Sequence, residues 1–599
     1  MSNVAVYMLQ RLQEWGISRV YGYPGDGING FLGAFEKVGN NPKFTQTRHE
    51  EMAAFMACAH AKFTGQIGAC MATSGPGAVH LANGLYDAKL DHQPVIAIVG
   101  QQKRMSVGAH YQQEIDLQTF FKDIGGFVST VMDEHSARHV LDRAIKSALS
   151  ERRPAVVIVP DDVQEAPYSD PPRKHGGVLT SVGWNQPHMI PDDTLLRAAA
   201  DVLNGGEKVA MLIGQGARDA ADEVMETAEV LGAGVAKALL GKDVIPDDLP
   251  FVTGSIGLLG TEPTNKMIEN CDTLLMIGTS FPYAEWLPKP GQARCVEIDI
   301  DGKMIGVRYP NDVSLVGDAK DTLKALLPML ERKEDRSWRE LIETEITAWW
   351  RVLDDRAHQK ADPLNPQLVF HELNKLLPDD VVMTSDSGSA TNWWARHIVS
   401  RGNMRSSLSG TLATMLPGVP YAISAKFAYP ERPVIAFTGD GAFEMLGMNE
   451  LLTVRAHAEE LLSANPTLIF AVLVNKDLNQ VSFEQRALAG DPKNPVTQTV
   501  PYVPAADFAK LLGFEGIRVD RPEDVVPAWQ RALAADKPVV LEFVTDPQIV
   551  PLPPHVRFEQ MKKTATALAH GDEDAAGIAK KGFLGKLAEV KEHLPGAGE

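Results

Sequence analysis

The sequence is poor in cysteine, contains no long apolar run and carries more negative than positive charge. Four of its 599 residues are cysteines and none forms a CxxC pair, so it offers no cysteine framework for zinc and favours a reducing compartment. No window reaches the roughly 18 uninterrupted apolar residues that indicate a membrane-spanning helix. The formal net charge of −19 opposes contact with phosphate backbones and argues against nucleic acid as the main partner.

The first residues also lack the features of an export signal. The segment MSNVAVYMLQRLQEWG has the spacing of an amphipathic helix and contains Gln, Arg and Glu, without an uninterrupted apolar core or a small-residue cleavage site. We therefore expect a cytoplasmic protein. Apolar residues make up 44% of the chain and charged residues 23%, which is typical of globular proteins, and the length predicts about three domains.

Short apolar runs alternate with helical patterns along most of the chain. PVIAIVG, VAMLIG and PVIAFTGDG are long enough for buried strands, and the stretches between such runs have helical spacing. This alternation predicts the α/β class, with three doubly wound parallel-sheet domains. We place these domains at residues 1–170, 190–335 and 362–550, followed by a C-terminal tail at 555–599.

The most informative motif is Gly439-Asp440-Gly441, which follows an apolar run and precedes a helical pattern. Glycines at such a turn let backbone amides approach an anion, and a helix N-terminus favours negative charge, so a diphosphate fits this position. Asp440 could hold a divalent cation, and Asn475, at the end of a later apolar run, could supply a second oxygen. Ordinary tight turns use the same letters, so the triplet alone leaves a purely structural role open.

The pairing of this triplet with a strand-terminal Asn resembles the motif of thiamine diphosphate-dependent enzymes, the family of pyruvate oxidase and acetolactate synthase. The resemblance implies thiamine diphosphate and Mg²⁺, with the metal held by the side chains of Asp440 and Asn475 and by the main-chain oxygen of Asp477. The chain departs from the family pattern in two ways. Val474 stands where a second Asn is usual, and extra residues around HAEELLSANP suggest a surface insertion.

A second candidate residue, Glu50, lies between a predicted short strand and an Ala-rich helix. A carboxyl group with apolar neighbours could share a proton with a ring nitrogen, although acidic residues are common in first helical turns without a catalytic role. RHEE and the later ATSGPGAVHLANGL resemble the first domain of pyruvate oxidase. This resemblance implies that Glu50 contacts N1′ of the cofactor's aminopyrimidine and promotes removal of the thiazolium C2 proton.

The resemblance also implies cofactor contacts elsewhere in the chain. The segment Ala413-Thr414-Met415 is similar to the family's wedge between the two rings. A flexible apolar Met fills such a gap well, and a plain core methionine is the alternative. The remaining residues implied by the resemblance are Ser74, Gly75, Gly77, Asn83, Gly388, Gly439, Gly441, Ala442, Leu478 and Asn479.

The middle of the chain suggests a flavin site. Gly214 and Gly216 follow an apolar run and precede a helical pattern, which is a fragment of a nucleotide-binding turn and is weak evidence alone. The following segments resemble, in order, the flavin-binding segments of pyruvate oxidase and acetolactate synthase, which implies FAD. The implied residues are Thr253, Gly254, Gly278, Thr279, Phe281, Pro282, Asp299 and Asp318, with Asp299 expected to bind ribose or ribityl hydroxyls.

The residues expected near the substrate are more polar than those of quinone-linked pyruvate oxidases. Ser387 and Gln480 stand where apolar residues lie between thiazolium and flavin, and Gln112 replaces the Phe of the substrate channel. We assign catalytic roles to Gln113 and Gln480 beside Glu50. Three functions remain open: pyruvate oxidase-like decarboxylation of pyruvate or a related 2-oxo acid with oxidation through FAD, acetolactate synthase-like carboligation with a structural FAD, or a catalytically silent structural or regulatory subunit.

The family resemblance further implies self-association as a homodimer or homotetramer. In the tail, Phe583, Leu584, Leu587, Val590 and Leu594 fall at helical spacing among lysines. A basic amphipathic helix of this kind could make weak contact with a membrane surface. Docking on its own oligomer, or simple fraying of the helix, is the favoured alternative, because the apolar face is narrow and interrupted by glycines.

Overall fold

The computed structural model describes residues 2–553 and 558–582. The first six strands form a parallel sheet in the order β2-β1-β3-β4-β6-β5. β3, β4 and β6 are buried along their whole length, as expected for strands covered by helices on both faces. The strands are β1 (Arg19–Gly22), β2 (Lys43–Gln46), β3 (Gly68–Ala72), β4 (Val95–Gln101), β5 (Phe127–Thr130) and β6 (Ala155–Pro160). The helices are α1 (Val4–Glu14), α2 (Asn29–Lys37), α3 (Glu50–Thr64), α4 (Pro76–His80), α5 (Ala82–Leu90), α6 (Leu117–Phe120), α7 (Ala137–Glu151) and α8 (Asp161–Glu165).

The second sheet also has six parallel strands, in the order β12-β11-β10-β7-β8-β9. Its strands are β7 (Val209–Ile213), β8 (Gly234–Lys237), β9 (Val252–Ser255), β10 (Thr273–Ile277), β11 (Arg294–Asp299) and β12 (Val313–Val316). Apolar clusters occur on both faces of this sheet. The helices are α9 (Asp193–Gly205), α10 (Ala221–Leu231), α11 (Glu262–Asn270), α12 (Ala319–Leu326) and the long α13 (Ser337–Ala357).

The third sheet has the order β14-β13-β15-β16-β18-β17. Its strands are β13 (Val382–Ser385), β14 (Arg405–Leu408), β15 (Val434–Gly439), β16 (Leu468–Val474), β17 (Glu515–Val519) and β18 (Val539–Val544). The helices are α14 (Pro366–Asn374), α15 (Ser389–His397), α16 (Gly418–Ala428), α17 (Asp440–Ala442), α18 (Met448–Ala456), α19 (Ala458–Leu461), α20 (Asn479–Glu484), α21 (Pro495–Gln498), α22 (Ala505–Leu511), α23 (Val525–Leu533) and α24 (Phe558–Ala569). Two short π-helical turns, Phe443–Gly447 and Gln485–Ala489, follow α17 and α20.

The strand orders locate a crevice in each sheet. In a doubly wound sheet, ligands bind beyond the carboxyl ends of the two neighbouring strands where the chain reverses its direction across the sheet. These strands are β1 and β3 in the first sheet, β7 and β10 in the second, and β13 and β15 in the third. The second sheet has the strand order of dinucleotide-binding folds, whereas the first and third share the flavodoxin-like arrangement around the reversal.

The expected fold class is confirmed, since three parallel sheets with interleaved helices are present. The domain boundaries stay a prediction. Close contacts divide the chain, as far as it is described, into two compact units: unit 1 comprises Met1–Gln186, Ser407–Ala436 and Ala442–Leu468, and unit 2 comprises Pro187–Ser406, Phe437–Gly441 and Ile469–Glu599. Within residues 2–553 and 558–582, we find no helix long and apolar enough to span a bilayer. The apolar residues of the expected tail helix, 583–594, lie outside the described residues.

Candidate active site

Glu50 is the first residue of α3 and lies in unit 1. The preceding His49 caps this helix, because its Nδ1 accepts a hydrogen bond from the Glu51 amide at 3.2 Å. Glu50 is 8% exposed, and its Oε2 lies 2.9 Å from Nδ1 of His80. The rings of His49 and His80 are 4.4 Å apart. A nearly buried carboxyl group thus shares a hydrogen bond with an imidazole, which is an arrangement suited to proton transfer.

The turn that follows β3 approaches Glu50 closely. A Cβ atom added to Gly77 would lie 3.1 Å from Oε1 of Glu50 and 2.7 Å from Cγ2 of Thr73, so a larger residue would displace the carboxylate. Gly75 has φ 61°, and the side chain of Ser74 donates a hydrogen bond to Oε1 of Gln113 at 3.2 Å. The structure therefore brings Ser74, Gly75, Gly77 and Gln113 to the same edge of the first sheet as Glu50.

The segment with the expected wedge also lies in unit 1. Ala413 and Leu416 have φ angles of 52° and 96°, a region that residues with side chains seldom adopt. Nδ2 of Asn83 donates to the hydroxyl of Thr414 at 3.1 Å and to Oε1 of Glu51 at 2.6 Å. Such backbone strain persists where the surroundings enforce it, often at ligand sites. Met415 is half-buried, and its role as a wedge stays a prediction.

Asp440 follows β15 in unit 2 and is 6% exposed. Its Oδ2 accepts hydrogen bonds from the backbone amides of Asn475 at 2.9 Å and Lys476 at 2.6 Å, and its Oδ1 accepts one from Gly441 at 2.9 Å. Burial nevertheless raises the pKa of Asp440 to about 6. A cation beside this carboxylate would favour its charged form, so the site fits a divalent metal ion.

Asn475 and Asp477 follow β16 at the same edge of the third sheet. The amide oxygen of Asn475 accepts a hydrogen bond from the Asp477 backbone at 3.0 Å and keeps a second lone pair. The Asp477 carboxylate accepts from Ser482 Oγ at 2.7 Å and lies 3.3 Å from Nζ of Lys493. Because this carboxylate has its own partners, the arrangement fits a metal ligand at the main-chain oxygen of Asp477. The oxygen set of Asp440, Asn475 and Asp477 suits Mg²⁺.

The remaining residues expected near the cofactor or substrate in unit 2 surround the ends of β13 and β16. Gly388 precedes α15, Leu478 precedes α20, and Asn479 and Gln480 open α20. Oε1 of Gln480 accepts a hydrogen bond from Asn392 at 3.0 Å, and its Nε2 donates to Glu484 at 2.8 Å. Gly439 and Gly441 flank Asp440 in sequence, and the next residue, Ala442, belongs to unit 1. The π-helical turns that follow are common at functional sites.

Two glycine turns meet at the crevice of the middle sheet. Gly214 follows β7 and Gly278 follows β10. The amide of Gly216 donates to the carbonyl oxygen of Gly278 at 3.0 Å, and a Cβ atom on Gly214 would lie 2.3 Å from that oxygen. The glycines therefore let the two backbones touch at the position where dinucleotide-binding sheets hold their ligand.

The other residues of the expected flavin site have local structural contacts. Thr253 is buried and donates to the Val235 carbonyl at 3.1 Å. Asp318 caps α12 by accepting from the Asp321 amide at 3.0 Å, and Asp299 at the end of β11 accepts from Asp301 at 2.8 Å. Gly254 lies within β9, and Thr279, Phe281 and Pro282 lie in the segment that follows β10. These contacts leave their role in flavin binding a prediction.

The sequence reasoning missed three features of these sites. His80, the partner of Glu50, belongs to the quoted ATSGPGAVHLANGL segment, but nothing in its spacing marks it. Asp386 follows β13, and its Oδ2 accepts from the Thr438 hydroxyl at 2.6 Å. A second Gly-Asp-Gly triplet, residues 25–27, follows β1 at the first crevice. Of these three features, only the repeated triplet is visible in the amino-acid sequence, where it could have indicated the crevice of the first sheet.

Comparisons with known families agree with this geometry. The model of the thiamine pyrophosphate enzyme N-terminal TPP binding domain matches residues 2–120. The model of the thiamine pyrophosphate enzyme central domain matches residues 196–326, and that of the C-terminal TPP binding domain matches residues 386–543. The three matches follow the order of the three sheets along the chain.

Individual relatives are similar along nearly the whole chain. The protein YdaP of Bacillus subtilis (strain 168), whose name describes it as thiamine pyrophosphate-containing, is 38% identical over 555 residues, which cover 93% of each chain. The pyruvate oxidase of Lactiplantibacillus plantarum is 28% identical over 90% of this chain and 87% of its own. An acetolactate synthase of Mycobacterium bovis is 30% identical over 91% of this chain and 88% of its own. These matches show that the chain belongs to the family of thiamine pyrophosphate enzymes.

Proposed function

We propose that this protein decarboxylates pyruvate or a related small 2-oxo acid with thiamine diphosphate and Mg²⁺, and that the acetyl unit is oxidised through FAD, as in pyruvate oxidase. Thiamine diphosphate, when bound, supplies the electron sink for cleaving the bond next to the carbonyl group. Asp440, Asn475 and the main-chain oxygen of Asp477 would hold the metal ion. The backbone amides and helix that follow Gly439 favour the diphosphate.

Glu50 would hold a proton at N1′ of the pyrimidine. Its burial and its hydrogen bond to His80 at 2.9 Å support this role, because a positioned carboxyl group within hydrogen-bond reach of a ring nitrogen can give or take a proton. Gly77 leaves the room that Glu50 needs. Gln113 and Gln480 would orient the carboxylate and carbonyl oxygens of the 2-oxo acid through their amide groups.

The single observation that carries the flavin part of this proposal is the strand order of the middle sheet. β7 and β10 meet at its reversal point, and glycine turns follow both strands. This arrangement is typical of dinucleotide-binding sheets and supports a site for FAD. FAD, when bound, accepts electrons from the two-carbon unit. Thr253, Gly254, Thr279, Phe281 and Asp299 would line that site.

A second candidate is acetolactate synthase-like carboligation with a structural FAD. Gln480 and Asn392 form a polar pair at 3.0 Å, and Ser387 follows β13 shortly before Asn392 in sequence. A polar pocket at this position would suit a second 2-oxo acid as acceptor better than electron transfer through apolar groups. A relative named pyruvate oxidase and another named acetolactate synthase each match most of the chain.

We further propose self-association as a homodimer or homotetramer and a cytoplasmic location. The four cysteines are buried and unpaired, which supports a reducing compartment. The net charge of −19 supports the expectation that nucleic acid is not a partner. A weak membrane contact of the C-terminal tail stays a proposal that concerns residues outside the described part of the chain.

The absorbance spectrum of the purified protein tests the assignment. The oxidase proposal expects a yellow protein whose flavin band is bleached when pyruvate is added without oxygen, with release of carbon dioxide. A yellow colour that persists while acetolactate or acetoin forms would favour carboligation. Bound thiamine diphosphate without turnover of any 2-oxo acid would favour the silent subunit. Glu50→Gln serves as the matched control, because it should retain the flavin band and lose the bleaching.

A further inference from the structure

A network of charged side chains is completely buried inside unit 1. Lys62 on α3 and Asp91, which follows α5, form an ion pair with Nζ 2.7 Å from Oδ2, and Asp87 on α5 lies 3.7 Å from the same ammonium group. The side chains of all three residues are no more than 1% exposed. Burial of charges in this way is costly unless hydrogen bonds satisfy each group, so the network needs a structural or functional reason.

Asp91 and Lys62 bind the backbone at the start of residues 409–416, the segment that contains Met415, and at Leu408 just before it. The carboxylate of Asp91 accepts hydrogen bonds from the amides of Gly410 at 2.8 Å and Thr411 at 2.7 Å. The ammonium group of Lys62 donates to the carbonyl oxygen of Leu408 at 2.7 Å. Hydrogen bonds in which one partner is charged are stronger than neutral ones. The ion pair therefore fixes the start of the segment from two sides.

This segment, residues 409–416, needs such an anchor. Two of its residues have positive φ angles, Ala413 at 52° and Leu416 at 96°, and strained conformations persist only where neighbouring contacts enforce them. Besides Asp91 and Lys62, Asn83 holds the segment through the hydroxyl of Thr414 at 3.1 Å, and Asp87 binds the side chain of Ser409. The Asn83 side chain also binds Glu51, the neighbour of Glu50. The wedge segment is thus tied to the helices α3 and α5 of the first sheet.

Asp87 has a different environment from Asp91. Its carboxylate accepts a hydrogen bond from the hydroxyl of Tyr421 on α16, and Cys58 lies 3.6 Å from the same oxygen. Burial raises the pKa of Asp87 above its ordinary value. Burial also acts to raise the pKa of Asp91, but Lys62 and the two segment amides outweigh it and hold that pKa below the ordinary value. One full ion pair, Lys62 with Asp91, therefore faces the segment.

We propose that Asp91 and Lys62 are positioning residues that hold the segment 409–416, and with it Met415, in the conformation that the bent cofactor requires. This inference rests on the proposed function, because it assumes that Met415 supports thiamine diphosphate. The ion pair does not touch the reacting atoms in this scheme. It acts through the backbone of Gly410 and Thr411, and its loss should loosen the segment without changing the metal site.

The first test needs no cofactor. Amide hydrogen exchange of the cofactor-free protein, read by mass spectrometry on peptides covering residues 408–417, should show protection that is lost by at least ten-fold in Asp91→Ala. Asp142→Ala is the matched control: Asp142 is equally buried in unit 1 and binds Arg11 at 2.9 and 2.7 Å. Unchanged protection in Asp91→Ala, or equal loss in Asp142→Ala, would overturn the positioning role.

The second test measures exchange of the C2 proton of bound thiamine diphosphate at saturating cofactor. We expect Asp91→Ala to slow this exchange at least ten-fold and Asp142→Ala to leave it unchanged. Asp91→Asn keeps the volume and one acceptor oxygen, so it should slow exchange by a smaller factor and serves if Asp91→Ala does not fold. A wild-type rate in both Asp91 variants overturns the inference alone. Absence of cofactor binding or C2 exchange in the unmodified protein overturns the proposed function and this inference together.

Discussion

The first and third sheets have the same strand order and use the triplet Gly-Asp-Gly at the same kind of place, with different results. Residues 25–27 follow β1, and Cβ atoms on Gly25 and Gly27 would lie 2.5 and 2.4 Å from Thr73 and Ser74, while Asp26 is exposed. Residues 439–441 follow β15, nothing lies within 4 Å of a Cβ on Gly439, and Asp440 is buried among three backbone amides. The Gly-Asp-Gly triplet therefore indicates the crevice of a sheet, and only the triplet with a buried carboxylate, at Asp440, is suited to bind a metal ion.

The largest effect is expected from removing the aspartate of each Gly-Asp-Gly triplet in turn. Asp440→Ala should abolish Mg²⁺-dependent retention of thiamine diphosphate, because in the proposed site this buried carboxylate would be the main negative ligand for the ion. Asp26→Ala, the same change in the other triplet, should leave the affinity unchanged. Isothermal titration of the cofactor with and without Mg²⁺ measures both. Equal affinities of Asp440→Ala and the wild type would move the metal site elsewhere.

A smaller effect is expected from crowding the first crevice. Gly77→Ala would place a methyl group 3.1 Å from Oε1 of Glu50, and a displaced catalytic group commonly costs on the order of 100-fold in rate. We expect C2 exchange of bound thiamine diphosphate to slow by that order with little change in metal-dependent affinity. Gly33→Ala on α2 is the control, since no atom lies within 4 Å of its added Cβ. A wild-type exchange rate in Gly77→Ala would show that the close approach of Gly77 to Glu50 does not matter for proton transfer.

The smallest effect concerns stability rather than catalysis. Glu450 in unit 1 is fully buried, and its Oε1 accepts a hydrogen bond from the Arg48 amide at 2.8 Å. Burial raises its pKa from 4.5 to about 7, so the folded state binds this proton more tightly than the unfolded state. The folded protein therefore loses stability as the pH rises above the pKa that Glu450 has in the unfolded state. This loss is complete once the pH exceeds the pKa that Glu450 has in the folded state.

Glu450→Gln should remove this pH-dependent penalty. We expect the Tm of the variant to exceed that of the wild type by roughly 1–3 °C at pH 8, with the difference shrinking as pH falls from about 7 to 4.5. Thermal unfolding followed at several pH values between 4 and 8 measures this slope. A difference that stays constant across the whole range would show that folding does not raise the pKa of Glu450.

The sequence predicted the parts of the fold and the site that depend on local pattern. Continuous apolar runs indicated the buried central strands, and the strand ends indicated Asp440 and Asn475. The structure brings these two residues together, with the Asn475 amide 2.9 Å from Asp440 Oδ2, because β15 and β16 are parallel neighbours in the third sheet. Parallel neighbours end at one edge, so a motif at each strand end predicts a shared site.

Features that depend on packing between distant segments were not predicted. The bond between Glu50 and His80 joins residues 30 positions apart and depends on how α3 and α4 meet. The order of the middle sheet cannot be read from its apolar runs, since any permutation would give the same pattern. Short edge strands such as β5 and β17 are only partly buried, so their sequences lack the continuous apolar character that identified β4 and β16.

The central claim is that Glu50 controls proton transfer on the cofactor's pyrimidine. Its most direct test is the exchange of the C2 proton of bound thiamine diphosphate in Glu50→Gln, followed by NMR after quenching in acid. We expect exchange to slow by orders of magnitude while the Tm and the affinity for Mg²⁺ and cofactor stay close to those of the wild type. Exchange at the wild-type rate would remove Glu50 from the mechanism.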